Sequence, residues 1–225
     1  MEAKRFALIV AGGSGTRMGA SVPKQFLLLA GKPILQHTVA RFYSHVNEIW
    51  LVLPEQHIPR WNELCLEHQF TVPHTVVAGG STRFDSVKNG LSQIHESGMV
   101  AVHDGVRPLI STDCIENTFR QAALLGNAIC AVRPKDSVRF FNTPANSVSL
   151  NRETCRLVQT PQIFDLQTLM NAYTTMAYHE GFTDDASVAE AYGVQVHMCE
   201  GEYSNIKITT PDDLALAEVL LQRLK

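Results

Sequence analysis

Nothing in the 225-residue sequence approaches the roughly 20 consecutive apolar residues that a bilayer-spanning helix needs. The apolar run near the N-terminus, Phe6-Ala7-Leu8-Ile9-Val10, is too short for a secretory signal core and leads straight into glycines. A basic excess is also missing. Against 22 Asp and Glu stand 19 Lys and Arg, a formal net charge of -3, so no global field attracts a nucleic acid. The five cysteines (Cys65, Cys114, Cys130, Cys155 and Cys199) are odd in number and contain no C-x-x-C pair. That excludes a zinc ribbon and a disulfide framework, and the thiols read as isolated, buried groups of a cytoplasmic protein. Nine histidines show neither H-x-x-x-H nor H-E-x-x-H spacing, so no histidine metal centre is predicted. Internal repeats, low-complexity runs and a clear interdomain linker are absent too.

The chain does have enough apolar residues, 45%, to fill the core of a single domain spanning 1–225. Apolar runs at 6–10 and 49–53 predict strands buried on both faces, and further strands are predicted at 75–77, 99–103 and 128–132. Between them, apolar spacing predicts helices opened by Pro33, through Trp61, Leu64 and Leu66, over 81–94, and over 113–125. Strands alternating with helices predict an α/β fold with a doubly wound, mostly parallel sheet. Ligands of such sheets sit beyond the carboxyl ends of the strands, which places the site at the loops after Val10, Val77 and His103.

The pattern changes near residue 135. Residues 136–141 and 147–150 predict two short strands joined by a turn-rich 142–146, a β-arm over about 136–151. An isolated hairpin is marginal by itself, so it either packs on a partner or forms an ordinary edge of its own subunit. Helices near 166–176 and 186–192, a strand at 194–199, the segment Ile206-Lys207-Ile208 and a helix begun by Pro211-Asp212-Asp213 complete the chain.

The residues with most chemical content follow the first strand: Ala11-Gly12-Gly13-Ser14-Gly15-Thr16-Arg17-Met18, then Pro23-Lys24-Gln25. Glycines let backbone N–H groups approach a phosphate closely. The spacing fits neither a Walker A loop nor the dinucleotide fingerprint, which argues against a dehydrogenase. A loop of donors followed by two cations suits a triphosphate, whose reacting phosphorus gains charge as it is attacked.

This signature resembles that of nucleotidyltransferases acting on sugar or polyol phosphates, and among them the 2-C-methyl-D-erythritol 4-phosphate cytidylyltransferase family. The resemblance extends through Ala78-Gly79-Gly80-Ser81-Thr82-Arg83 with Asp85-Ser86-Val87, then Val102-His103-Asp104-Gly105-Val106-Arg107-Pro108. It continues through Thr160-Pro161-Gln162, Thr183-Asp184-Asp185-Ala186 and Asn205-Ile206-Lys207.

The resemblance implies a Rossmann-like nucleotidyltransferase fold that uses CTP, a polyol phosphate and Mg2+ or another divalent cation. It implies nucleotide binding by Ala11, Gly12, Gly13, Gly15, Gly79, Gly80, Ser81, Ser86, Asp104 and Gly105. Arg17, Lys24 and Lys207 would be catalytic cations. Asp104, Arg107, Ser137, Arg152, Thr160, Thr183 and Lys207 would meet the acceptor, and Asp104 would stand near the metal. In the family the arm reaches across a homodimer, so Ser137 and Arg152 would serve the partner's site. His103, next to Asp104 on a strand, faces the opposite way and reads as a packing residue.

Two departures from many relatives stand out: Gly105-Val106 where two alanines are common, and Ser137 where threonine is common. Both keep every charge and donor but leave the acceptor open between 2-C-methyl-D-erythritol 4-phosphate and D-ribitol 5-phosphate. A catalytically silent nucleotide-binding module on the same fold is the remaining alternative.

Overall fold

Apolar runs without polar interruption are stable only where both faces are covered, and the computed structural model places them there. It describes residues 3–12 and 22–223. The first half of the chain contains β1 (Lys4–Val10), β2 (Leu28–Leu29), β3 (Lys32–Pro33), α1 (Ile34–Phe42), β4 (Glu48–Leu53), α2 (Ile58–Glu67), β5 (Thr75–Ala78), α3 (Arg83–Leu91) and β6 (Gly98–Asp104). The second half contains α4 (Thr112–Leu125), β7 (Asn127–Val132), β8 (Val138–Thr143), β9 (Asn146–Leu150), β10 (Leu157–Asp165), α5 (Leu166–Thr175), α6 (Asp185–Ala191), β11 (Met198–Glu200) and α7 (Pro211–Arg223). Seven strands form one sheet in the order β11-β7-β10-β6-β1-β4-β5.

Strand periodicity sends alternate residues of β1 to opposite faces. Ala7 and Ile9 join Leu35, Val39, Phe42, Trp61 and Phe119 on the face covered by α1, α2 and α4. Phe6, Leu8 and Val10 join Val87, Leu91, Leu169, Tyr173 and Val188 on the face covered by α3, α5 and α6. A third cluster, formed by Ala217 and Leu221 of α7 with Leu29, Ile34, Val106, Leu109 and Ile208, fixes the segment that follows β11. The sheet is therefore doubly wound. It grows from β1 through β4 to β5, then reverses to β6 on the other side of β1, which puts the topological switch point at β1.

Sequence periodicity missed the short pair β2 and β3 and, in the seven-stranded sheet, β10. It lies between β6 and β7 and is antiparallel to both, the one reversed strand of this sheet. Pro161 conceals it, because a proline cannot donate to a ladder and argues against a central strand. The ladder accommodates it through a register shift between Val158 and Gln162.

Other expectations are corrected in detail. Leu66 is 81% exposed and faces solvent, whereas Trp61 and Leu64 are buried. The helix expected over 81–94 is α3, shorter at both ends, because Thr82 caps it and Ser81 lies outside. The strand expected at 194–199 is reduced to β11, and the segment 206–208 is irregular.

β8 and β9 pair only with each other, as a separate two-stranded sheet. Thr143 pairs with Asn146, so the turn is tighter than the five residues expected. Phe140 and Phe141 on this arm are 56% and 64% exposed, beside exposed Val148 and Leu150.

Candidate active site

One pocket collects the ends of three strands and two following segments. Its walls are Val10, Ala11 and Gly12 after β1, residues 80–83 and Ser86 around the start of α3, Asp104 and Val106 after β6, and Lys24, Gln25 and Lys207. The strand ends meet because Ala11 N–H donates to Val52 O, Gly79 N–H to Leu53 O, and Gly105 N–H to Val10 O.

Lys24 opens a short 3-10 turn, Lys24–Phe26, whose place is fixed on two sides. Phe26 is buried and stacks near Trp61, with ring centroids 6.4 Å apart. Gln25, also buried, donates from Nε2 to Ala11 O at 3.0 Å. The lysine next to them is thereby held in the wall of the pocket that Gly12 also lines. Gly13, Gly15 and Arg17 lie outside the described residues.

Residues 79–82 are shaped by α3. Thr82 Oγ1 accepts from Asp85 N–H, and Asp85 Oδ2 accepts from Thr82 N–H and from the Ser81 hydroxyl, a reciprocal cap. Those hydrogen bonds hold the Asp85 carboxyl below its usual range. Ser86 Oγ accepts from Gly80 N–H at 3.1 Å and donates to Thr82 O at 2.8 Å. A Cβ on Gly80 would sit 2.2 Å from Asp85 Cβ, so only glycine permits this approach. Ser86 thus builds the loop that borders the pocket as well as lining it.

Asp104 is the electrostatic centre. Its Oδ2 lies 3.1 Å from Lys207 Nζ and 3.1 Å from Arg107 Nε, and its Oδ1 lies 4.0 Å from Arg83 Nε. Burial opposes ionisation of this carboxyl, but Lys207, then Arg83 and Arg107, outweigh it and hold the group well below the usual carboxylate range. Lys207 reaches the pocket although 206–208 is irregular, because Ile208 N–H donates to Val106 O and the Ile208 side chain is buried beneath.

The structure separates the expected acceptor residues into three places. Asp104 and Lys207 line the pocket. Arg107 and Thr160 are buried behind it: Arg107 Nη1 donates to Asn205 O, and Thr160 Oγ1 accepts the Asp104 N–H. Ser137, Arg152 and Thr183 are exposed. Arg152 Nη1 donates to Lys135 O at the root of the arm, and Ser137 lies in the same stretch.

With this geometry in place, comparison with known proteins is direct. The family described as IspD, 2-C-methyl-D-erythritol 4-phosphate cytidylyltransferase, matches residues 6–223. The chain belongs to this family. It is thereby a nucleotidyltransferase of the isoprenoid route. A relative named 2-C-methyl-D-erythritol 4-phosphate cytidylyltransferase from Porphyromonas gingivalis is 52% identical over 223 residues, covering 98% of this chain and 99% of the relative. One of the same name from Clostridium botulinum is 40% identical, covering 98% and 99%. Among solved structures, 4-diphosphocytidyl-2C-methyl-D-erythritol synthase from Anaerococcus prevotii superposes with a TM-score of 0.83 at 28% identity, covering 98% of this chain and 99% of that one. The Thermus thermophilus family member superposes with a TM-score of 0.79 at 30% identity, covering 99% and 100%.

The structure also brings in residues to which sequence reasoning gave no role. Arg83 lines the pocket and forms two bonds with buried Asp185, 3.0 and 2.7 Å long, while the Tyr173 hydroxyl donates to Asp185 at 2.7 Å. Burial opposes the Arg83 charge, but Asp185 and then Asp104 hold it protonated more firmly than usual. Gln162, buried on β10, donates to Asp184 Oδ2 and accepts from Ala186 N–H, tying the start of α6 to the sheet. Arg83 and Asp185 both stand within motifs carrying the family resemblance. Their pairing across |i−j| = 102 has no local signature.

Proposed function

We propose that this pocket is where the family member transfers a cytidylyl group from CTP to 2-C-methyl-D-erythritol 4-phosphate, giving 4-diphosphocytidyl-2-C-methyl-D-erythritol and pyrophosphate. The observation that carries this is the arrangement of Lys24, Lys207 and Asp104 around one cavity at the switch point of the sheet. The base lies against Gly80, Ser81 and Ser86, and the triphosphate extends past Gly12 toward Lys24, with Arg17 a further cation by family resemblance. An oxygen of the acceptor phosphate attacks the α-phosphorus. The bond to the β-phosphate bridging oxygen breaks, and pyrophosphate leaves with that electron pair. The attacking group is already ionised, so no residue need become covalent; the protein contributes position and positive charge.

The donor set fits a divalent cation of the magnesium type. Such an ion needs one or two carboxylates and takes its remaining ligands from phosphates and water. Asp104 Oδ2 faces Lys207 and Arg107, while Oδ1 meets only the more distant Arg83 among the ion pairs of the described residues. When bound, the ion would neutralise triphosphate charge. Lys207 orients Asp104 toward the pocket and brings its own charge to the acceptor side.

Exposure of Ser137 and Arg152 near the arm, with unpartnered aromatic residues on the arm itself, supports a homodimer in which these residues complete the partner's acceptor site. The odd set of cysteines supports a cytoplasmic setting. Among the described residues no helix is long and apolar enough to cross a membrane.

Pyrophosphate release from CTP, measured separately with 2-C-methyl-D-erythritol 4-phosphate and with D-ribitol 5-phosphate, tests the reading. Turnover with the first at least tenfold above the second is expected. Preference for ribitol phosphate would move the acceptor, and CTP binding without turnover on either would make this a silent nucleotide module.

A further inference from the structure

Three of the five cysteines, expected from the sequence to be isolated, share one position in the fold. Cys130 on β7 and Cys199 on β11 are register partners on adjacent parallel strands, with their sulfurs 3.9 Å apart. Cys114 on α4 approaches from the helix layer, its Sγ 3.5 Å from Cys130 Sγ. Thr118 Oγ1 lies 3.0 Å from Cys130 Sγ and 3.5 Å from Cys199 Sγ. Neighbouring strands are about 4.8 Å apart, inside the Cα separation that a disulfide spans. None of these cysteines lines the nucleotide pocket.

The three differ in access and reactivity. Cys114 and Cys130 are buried, whereas Cys199 sits on the edge strand, partly exposed. It also lines a surface groove with Glu153, Thr154 and Arg156. The hydrogen bond from Cys130, helped by Thr118, outweighs burial and brings the Cys199 thiol down to about 7. The Cys130 thiol is pushed well above its usual value by its bonds to Cys114 and Cys199 and by burial. Away from the cluster, burial raises Cys65 to about 11.

We propose that Cys199 and Cys130 form a peroxide-oxidisable pair, a modification site separate from the nucleotide pocket. The Cys199 thiolate attacks one oxygen of a hydroperoxide. An S–O bond forms, the O–O bond breaks, and the departing oxygen leaves with the electron pair and takes a proton. Cys199 is then a sulfenic acid. Cys130 sulfur attacks Cys199 sulfur, the S–S bond forms and the S–O bond breaks, and the hydroxyl leaves as water with the Cys130 proton. Two thiols are oxidised to one disulfide while hydrogen peroxide is reduced to two waters. Cys130 is the resolving thiol because it lies directly across the ladder, between Cys199 and Cys114.

The test uses the intact protein treated with a small excess of hydrogen peroxide, alkylated and weighed, followed by peptide mapping. The expected result is loss of two hydrogen masses, a peptide joining Cys130 to Cys199, and full reversal by a thiol reductant. Cys65→Ser and Cys155→Ser should retain the bridge, and Cys199→Ser should abolish it. A Cys114–Cys130 bridge persisting in Cys199→Ser would overturn the assignment. So would wild-type oxidation confined to Cys65 or Cys155, or conversion of Cys199 to a sulfinic acid without a bridge. The wild-type peptide map decides the matter even where a serine variant folds poorly.

Discussion

Thr160 Oγ1 accepts the Asp104 N–H at 3.0 Å and lies 3.1 Å from His103 Nδ1, so its own proton points to the ring. The imidazole then carries its proton on Nε2, which donates to Arg107 O at 3.2 Å, leaving a neutral ring with both nitrogens engaged. Its face packs near Phe42, with centroids 4.8 Å apart, as strand periodicity implied when it set His103 opposite Asp104. Burial lowers this histidine from 6.5 to about 4. Between those two values the unfolded chain binds a proton that the folded chain refuses, so stability falls as pH drops through that window. Relative to the wild type, His103→Gln should lose less stability between pH 7 and pH 4.5, by about 2 kcal/mol. Urea unfolding of both proteins at several pH values measures the difference; equal pH slopes would show that His103 does not titrate in this way.

At the scale of elements, α3 both anchors and shapes the 79–82 loop of the pocket. Gly90 lies within it, where alanine would favour the helix by about 1 kcal/mol. A Cβ there would meet Leu8 Cδ1 at 2.4 Å and Val52 Cγ2 at 2.8 Å, and both side chains are buried in the sheet. Overpacking costs about 1–3 kcal/mol, so Gly90→Ala should be net destabilising by about 1 kcal/mol. The urea midpoint should fall with m unchanged; an unchanged or higher midpoint would mean that the contact relaxes freely.

The other elements were legible to different degrees for physical reasons. β1, β4, β6 and β7 were plain because burial on both faces leaves an uninterrupted apolar run. β10 was not, since Pro161 and the buried polar pair Gln159 and Gln162 break that run where they bond to neighbouring segments. That Ala11, Gly12, Gly80, Ser81, Ser86 and Asp104 would come together was readable because glycines, a cap and a strand-end carboxylate are local signals, and they line one pocket. The Arg83–Asp185 pair and the thiol cluster depend on strand order, which periodicity does not reveal. The same limit applies to Lys207, which the family pattern singled out on a segment that is irregular.

For the whole molecule, the decisive question is what covers Phe140 and Phe141. If two arms cover each other, sedimentation equilibrium at micromolar concentration should give twice the 24.9 kDa chain mass. Phe140→Asp with Phe141→Asp should shift this toward the monomer. On the proposed reading it should also raise KM for the acceptor more than KM for CTP, because Ser137 and Arg152 belong to the arm and its root while the pocket proposed for CTP does not. A wild-type monomer with full activity would remove the shared site.

The arm's point of departure has a consequence of its own. Val132 at the end of β7 pairs with Leu157 at the start of β10, so the chain leaves and re-enters the sheet at adjacent residues. Residues 133–156 are therefore a detour inside an antiparallel connection. Their length and composition can change without rethreading a strand or moving β6, whose end carries Asp104. A lineage can edit this one excursion, and with it whatever surface the arm presents, while the sheet beneath Asp104 stays as it was.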